Sequence, residues 1–153
     1  MNFSDLWDNY CQILEDMNPC TNGLGEPNFE NQCCIRFSTA MHRTGHDFVD
    51  YEGAKCWFGH KEPHCLRVEE MVEYLSDKFG KPLIRSNCTQ EDFEGMIGIV
   101  VFIDFWARNE GDAKTGDHID LFNGVETANG SPDYFERSRQ VLFWCLEGVE
   151  IDK

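Results

Sequence analysis

The sequence predicts an α+β fold, with helices first and an antiparallel sheet after them. Three observations carry that reading. Apolar residues recur at helical spacing in three segments of the first 79 residues. The run IGIVVFIDF at 97–105 is β-branched and aromatic, the signature of a central strand. Asn123-Gly124 is the strongest short signal for a hairpin.

The elements follow in order. Ser4 caps a first helix predicted to Asp16, in which Phe3, Trp7, Tyr10 and Leu14 share a face. NPCTNGLGEPN at 18–28 is punctuated by Gly and Pro and reads as a loop. A second helix starts near Asn31, its N-cap, and ends before Gly45; Cys33, Phe37, Ala40 and Met41 form its stripe. Residues 46–64 are irregular. A third helix runs from Leu66 to Phe79, buries Val68, Met71, Val72 and Leu75, and exits at Gly80 with Pro82 beyond. After the 97–105 strand comes a polar connector, ARNEGDAKTGD, at 107–117. HIDLF at 118–122 then turns back through Asn123-Gly124 into VETAN. Ser131-Pro132 opens a short helix, and QVLFWCL at 140–146 is the last strand. No repeat or interdomain linker interrupts the chain, so a single domain over 1–153 is expected.

Composition narrows the function. Hydrophobic residues make up 41%, a globular value, and the net charge is −15. That charge argues against nucleic acid and against an anionic membrane surface, and favours a basic protein partner. No apolar run reaches membrane-spanning length, and MNFSDLWDNY does not read as a signal peptide. Eight cysteines suggest an oxidising compartment; Cys11/Cys20 and Cys56/Cys65 share the spacing C-x8-C and are candidate bridges.

ENQCCIRFSTAM at 30–41 raises the chemical question, because two thiols stand side by side at a helix start. Unpaired backbone N–H groups and the positive end of the helix dipole favour thiolate there, and the thiolate is the nucleophile. Adjacent helical residues point about 100° apart, so one thiol at most can face a given base. The stripe through Phe37, Ala40 and Met41 favours Cys33, while Cys34 projects along the line of Ser38. The base candidate is His118. With a two-residue loop at Asn123-Gly124, Phe122 faces Val125, Asp120 faces Thr127 and His118 faces Asn129. Asn129 would then fix the imidazole, with the Asp120 side chain running parallel to it.

Several segments resemble the family 4 amidase effectors of type VI secretion. NQCCIRFSTAMHRTG resembles their nucleophile helix and GDHIDLFNG their histidine strand. HCLRVEEMVEYLSDKFGKP, GMIGIVVFIDFW and YFERSRQVLFWCL resemble their third helix, following strand and closing segment. The resemblance covers most of 30–146. It implies an NlpC-like, papain-related cysteine amidase, its nucleophile helix packed on an antiparallel sheet. It implies cleavage of peptidoglycan stem peptides between D-glutamate and meso-diaminopimelate, in the target-cell periplasm or outside the cell. It implies no cofactor, and an immunity protein in the producing cell. Carried over by position, Cys33 is the nucleophile and His118 the base. The third member is Asn129, where the family commonly has Asp, or Asp133 just beyond. Cys34 departs from the usual small residue and is either a filler or a disulfide partner.

Three other readings stay open in the sequence. Cys56, His60, His64 and Cys65 spell C-x3-H-x3-H-C, which fits no common zinc finger, and no metal is expected. A secreted, disulfide-stapled binding module without catalysis would suit the sequons at Asn2, Asn87 and Asn129. The same fold could also cleave a different amide.

Overall fold

The computed structural model describes residues 3–10, 33–46, 48, 50–53, 65, 67–106 and 116–146. Contacts divide the chain into two compact units, Met1–Tyr74 with Gly148–Lys153, and Leu75–Glu147. No described helix is long and apolar enough to cross a membrane.

The first unit contains α1 (Phe3–Asp8) and α2 (Cys33–Arg43). The described part of α1 buries Leu6, and Asn9 closes its end by donating from Nδ2 to the Asp5 carbonyl at 2.8 Å. The predicted continuation to Asp16 and the Asn31 cap lie outside the described residues.

Helix α2 departs from the predicted single stripe. From Cys33 to Met41 every residue except Arg36 is buried, so the helix is enclosed nearly all round. Its two hydroxyls are therefore satisfied locally: Ser38 Oγ and Thr39 Oγ1 both donate to the Ile35 carbonyl, at 3.0 and 2.7 Å. The helix ends in a Schellman motif. His46 N–H reaches Met41 O at 3.0 Å and Gly45 N–H reaches His42 O at 2.9 Å, with Gly45 at φ 109°. Beyond it His46 meets Phe48 and Tyr74 edge to face, Tyr51 does the same with Phe48 and Tyr74, and the Tyr74 hydroxyl donates to Asp50 at 2.8 Å.

Helix α3 (Val68–Phe79) begins two residues later than predicted and stops at Gly80, whose φ of 88° suits glycine. The second unit then builds a four-stranded antiparallel sheet, β1 (Leu83–Arg85), β2 (Ile97–Trp106), β3 (Gly116–Asn123) and β4 (Gln140–Cys145), in the order β1-β4-β2-β3. Strand β1 and a 3-10 helix at Gln90–Phe93 have no counterpart in the sequence reading. The VETAN return contributes only a bridge, Thr127 to Phe122. Helix α4 (Asp133–Arg137) follows Ser131-Pro132 as predicted.

Strand β2 is central, as expected, paired with β3 and β4. On one face Val100, Phe102, Phe122, Val141 and Phe143 meet Phe93 of the 3-10 helix and Phe135 of α4. Phe135 lies edge-on to Phe102, with ring centroids 4.9 Å apart. The pairing of β2 with β3 is regular from Ile97↔Asn123 to Phe102↔His118, then resumes at Trp106↔Gly116. Strand β2 thus holds more residues than β3 across this interval. The excess bulges at Asp104, which takes φ 54°. Two neighbours hold the bulge: Asp117 Oδ1 accepts from the Asp104 N–H at 2.9 Å, and Arg139 Nε donates to Asp104 Oδ2 at 2.6 Å.

Candidate active site

Cys33 opens the described part of α2. Cys34 follows it, and the two thiols are equally buried, at 2% exposure each. Burial therefore does not separate them. Their neighbours do. One turn beyond Cys34, Ser38 Oγ accepts the backbone N–H of Cys65 at 3.0 Å, which places the Cys65 segment along that line of the helix. Burial pushes the Cys34 thiol well up from its usual value, and the nearby Cys65, Cys33 and Glu70 add to the shift. Burial and these neighbours favour the protonated form of Cys34 over the thiolate. Cys33, Cys34, Cys65, Cys88 and Cys145 are all in the thiol form. Cys11, Cys20, Cys56, His60 and His64 lie outside the described residues.

In the second unit, His118 sits on β3 opposite Phe102 of β2. Among the described residues three rings pack on it: Phe102 stacks at 5.9 Å between centroids, Phe105 lies at 5.8 Å, and Tyr134 of α4 meets it edge-on at 5.3 Å. Tyr134 also packs on Phe105 at 4.6 Å, so the cage is continuous.

The partner of the imidazole is Asp120. His118 Nε2 and Asp120 Oδ2 are 2.8 Å apart. A carboxylate only accepts, so Nε2 carries the hydrogen. Same-face residues on a strand lie about 6.6 Å apart at Cα, and side chains lean along the strand, so the imidazole spans the gap. Asp120 is itself fully buried and fixed by backbone donors, Leu121 N–H at 2.8 Å and Asn129 N–H at 3.1 Å to each oxygen.

The predicted ladder needs a correction. The turn is centred one residue later than Asn123-Gly124. Asn123 N–H donates to Glu126 O at 3.1 Å, and Phe122 pairs with Thr127 rather than Val125. Asn123 drives the shift, because its Oδ1 accepts from both Val125 N–H and Glu126 N–H, at 2.9 and 2.8 Å. Gly124, at φ 95°, supplies the left-handed corner. The slip carries Asn129 past His118 to Asp120, where it acts through its backbone. Asp133 is exposed, and its carboxylate is engaged by the Ser131 hydroxyl and by Arg137 Nη1 at 3.2 Å. Asp120 is the partner of His118 that the ladder count set aside; its position two residues away on the same strand face was the available signal.

Residues 29–144 match the family described as type VI secretion system (T6SS), amidase effector protein 4, Tae4. The chain belongs to the Tae4 family. No curated protein matches it. Among solved structures, the Tae4–Tai4 effector–immunity complex from Salmonella Typhimurium superposes with a TM-score of 0.73 at 25% identity, covering 95% of this chain and 97% of that one. The Tae4–Tai4 complex from Enterobacter cloacae gives 0.70 at 25% identity, covering 95% and 98%. Tae4 from Enterobacter cloacae, at 23% identity, gives 0.69 and shares the fold. The α+β architecture is thus the papain-related, NlpC-like fold of Tae4. As a Tae4 member the chain is an enzyme, a peptidoglycan amidase effector of type VI secretion, which sets aside the non-catalytic binding module.

Proposed function

We propose that this Tae4 member hydrolyses the D-glutamyl–meso-diaminopimelate bond of peptidoglycan stem peptides, with Cys33 as nucleophile and His118 as base, both units working as one amidase domain. The carrying observation is that the matched segment contains Cys33 on the described part of α2 and, on β3, a buried histidine whose Nε2 is held by a carboxylate. Committing Nε2 leaves Nδ1 as the nitrogen that accepts the Cys33 proton. The thiolate attacks the amide carbonyl, and the Cys33 N–H together with a second donor holds the oxyanion. The imidazolium then protonates the leaving amine, and water, activated by the same nitrogen, hydrolyses the thioester. The connector at 107–117 is proposed to read the charged ends of the substrate.

The relatives' structures are effector–immunity complexes. We extend that arrangement to this chain: an immunity protein protects the producing cell, and the effector acts in the target-cell periplasm. The net charge of −15 favours a basic face on that partner. Digestion of purified peptidoglycan followed by mass analysis tests bond and nucleophile together. Cys33→Ala should abolish the fragments and Cys34→Ala should preserve them. Full activity in Cys33→Ala, or fragments cut at another bond, would overturn the proposal.

A further inference from the structure

We infer that Asp120, and neither Asn129 nor Asp133, is the positioning residue of His118. The inference rests on the proposed roles of Cys33 and His118, and it supplies the third member that those roles need.

Three features of the second unit support it. First, Asp120 Oδ2 already holds Nε2 at 2.8 Å, whereas Asn129 meets the site through its backbone N–H and Asp133 is held by Ser131 and Arg137. Second, Asp120 is rigid. Its two oxygens accept from Leu121 and Asn129, and Gly130 leaves only enough room for them: a Cβ there would stand 3.1 Å from Asp120 Oδ2 and 3.0 Å from the Tyr134 ring. Third, the pair is dry, with side-chain exposures of 9% for His118 and 0% for Asp120. A hydrogen bond to a carboxylate in such surroundings is stronger than one to a neutral amide.

Asn129 therefore keeps a role, but a different one. Its N–H bridges both carboxylate oxygens and so aims Asp120 at the ring. A neutral side chain at 129 is compatible with full imidazolium support, because the negative partner sits at 120. During the reaction the Cys33 proton moves to Nδ1 and then to the leaving amine. Asp120 remains an acceptor throughout and exchanges no proton. Among the described residues, the ionisable groups near His118 include the Tyr134 phenol, whose ring meets it edge-on, and, behind Phe105, the Arg137 guanidinium, 5.8 Å from the Phe105 centroid.

Nitrogen-15 NMR of the histidine side chains in the intact protein tests this without any variant. Neutral His118 should be the Nε2–H tautomer; an Nδ1–H tautomer would overturn the inference. Asp120→Asn should lower the His118 titration midpoint by about one unit or more. It should cut kcat at least about tenfold with KM nearly unchanged, and by more than Asn129→Ala does. An unmoved midpoint in Asp120→Asn, or a larger kcat loss in Asn129→Ala, would refute it. Because the tautomer and midpoint are read without substrate, they stay decisive even if Cys33→Ala retains activity and the proposed function itself fails.

Discussion

Replacing Gly98 by alanine should loosen the sheet that carries the histidine. Gly98 lies on β2, opposite Phe122 of β3 and Cys145 of β4. A Cβ at this position would stand 1.9 Å from the Trp144 carbonyl oxygen. That is about 1.5 Å inside van der Waals contact, with a backbone atom that has no rotamer to escape into. Either β4 moves away or β2 bends, and two or three ladder bonds near the Leu146 N–H to Ile97 O bond of 2.8 Å weaken. At about 1 kcal/mol each, the loss is about 3 kcal/mol. The stiffer unfolded chain returns about 0.4–1 kcal/mol of it. The net of about 2–3 kcal/mol corresponds to a drop in Tm of roughly 5–12 °C for a chain of this size. Thermal melting followed by near-ultraviolet circular dichroism reads the change directly. A Tm within about 2 °C of the parent would refute the reasoning, since it would mean the strands part at almost no cost.

Other outcomes follow from the same geometry. Gly130→Ala brings a methyl against Asp120 and Tyr134, so peptidoglycan turnover should fall several-fold while Tm changes by only a few degrees; parental turnover would contradict it. Asn123→Ala removes the acceptor of two turn N–H groups and should cost about 1–2 kcal/mol in urea denaturation. Stability should also decline at alkaline pH. Above the ordinary thiol value of 9.0 the unfolded chain releases the Cys34 proton that the native chain keeps, so the contribution is complete below that value and is lost as pH rises toward the native one. Cys88, raised by burial and then by Asp92, acts with the same sign, and Tyr51 joins above 10.0. Cys34→Ala should flatten the first part of that decline; an unchanged slope in denaturation midpoints between about pH 9 and 10 would count against it. Asp133 works at the other end: the Ser131 hydroxyl lowers its pKa first, and Arg137 helps, so its small contribution is present above the ordinary 3.8 and fades as acid protonates it. Asp133→Asn should leave acid midpoints nearly in place, because the group is exposed.

The helices and long strands were legible because their signals are local. Phe37, Ala40 and Met41 announce α2, Gly80 and Pro82 end α3, and IGIVVFIDF is hardly anything but a strand. The enclosure of α2 was not legible, because Ser38 and Thr39 look like a solvent face until their hydroxyls are seen bonded to Ile35. Strand β1 is three residues long with Ile84 half exposed, too short to show a period. The hairpin register failed for an instructive reason. Asn123-Gly124 marks the turn under either placement, and only the side-chain bonds of Asn123 choose between them. A slip of one residue then exchanged the supposed partner of His118. Asp120 was visible in GDHIDLF, but its reach to Nε2 depends on side chains leaning along the strand, which sequence spacing does not record.

The bulge at Asp104 divides β2 into two stretches that respond differently to changes in chain length. From Ile97 to Phe102 each residue has a counterpart on β3, so a deletion there would turn every later side chain inside out and carry Phe102 away from the imidazole. Past Asp104 the count is already irregular, and the kink is clamped from outside by Asp117 and Arg139. Additions or losses beyond that clamp can be absorbed without shifting the register that sets Phe102 opposite His118.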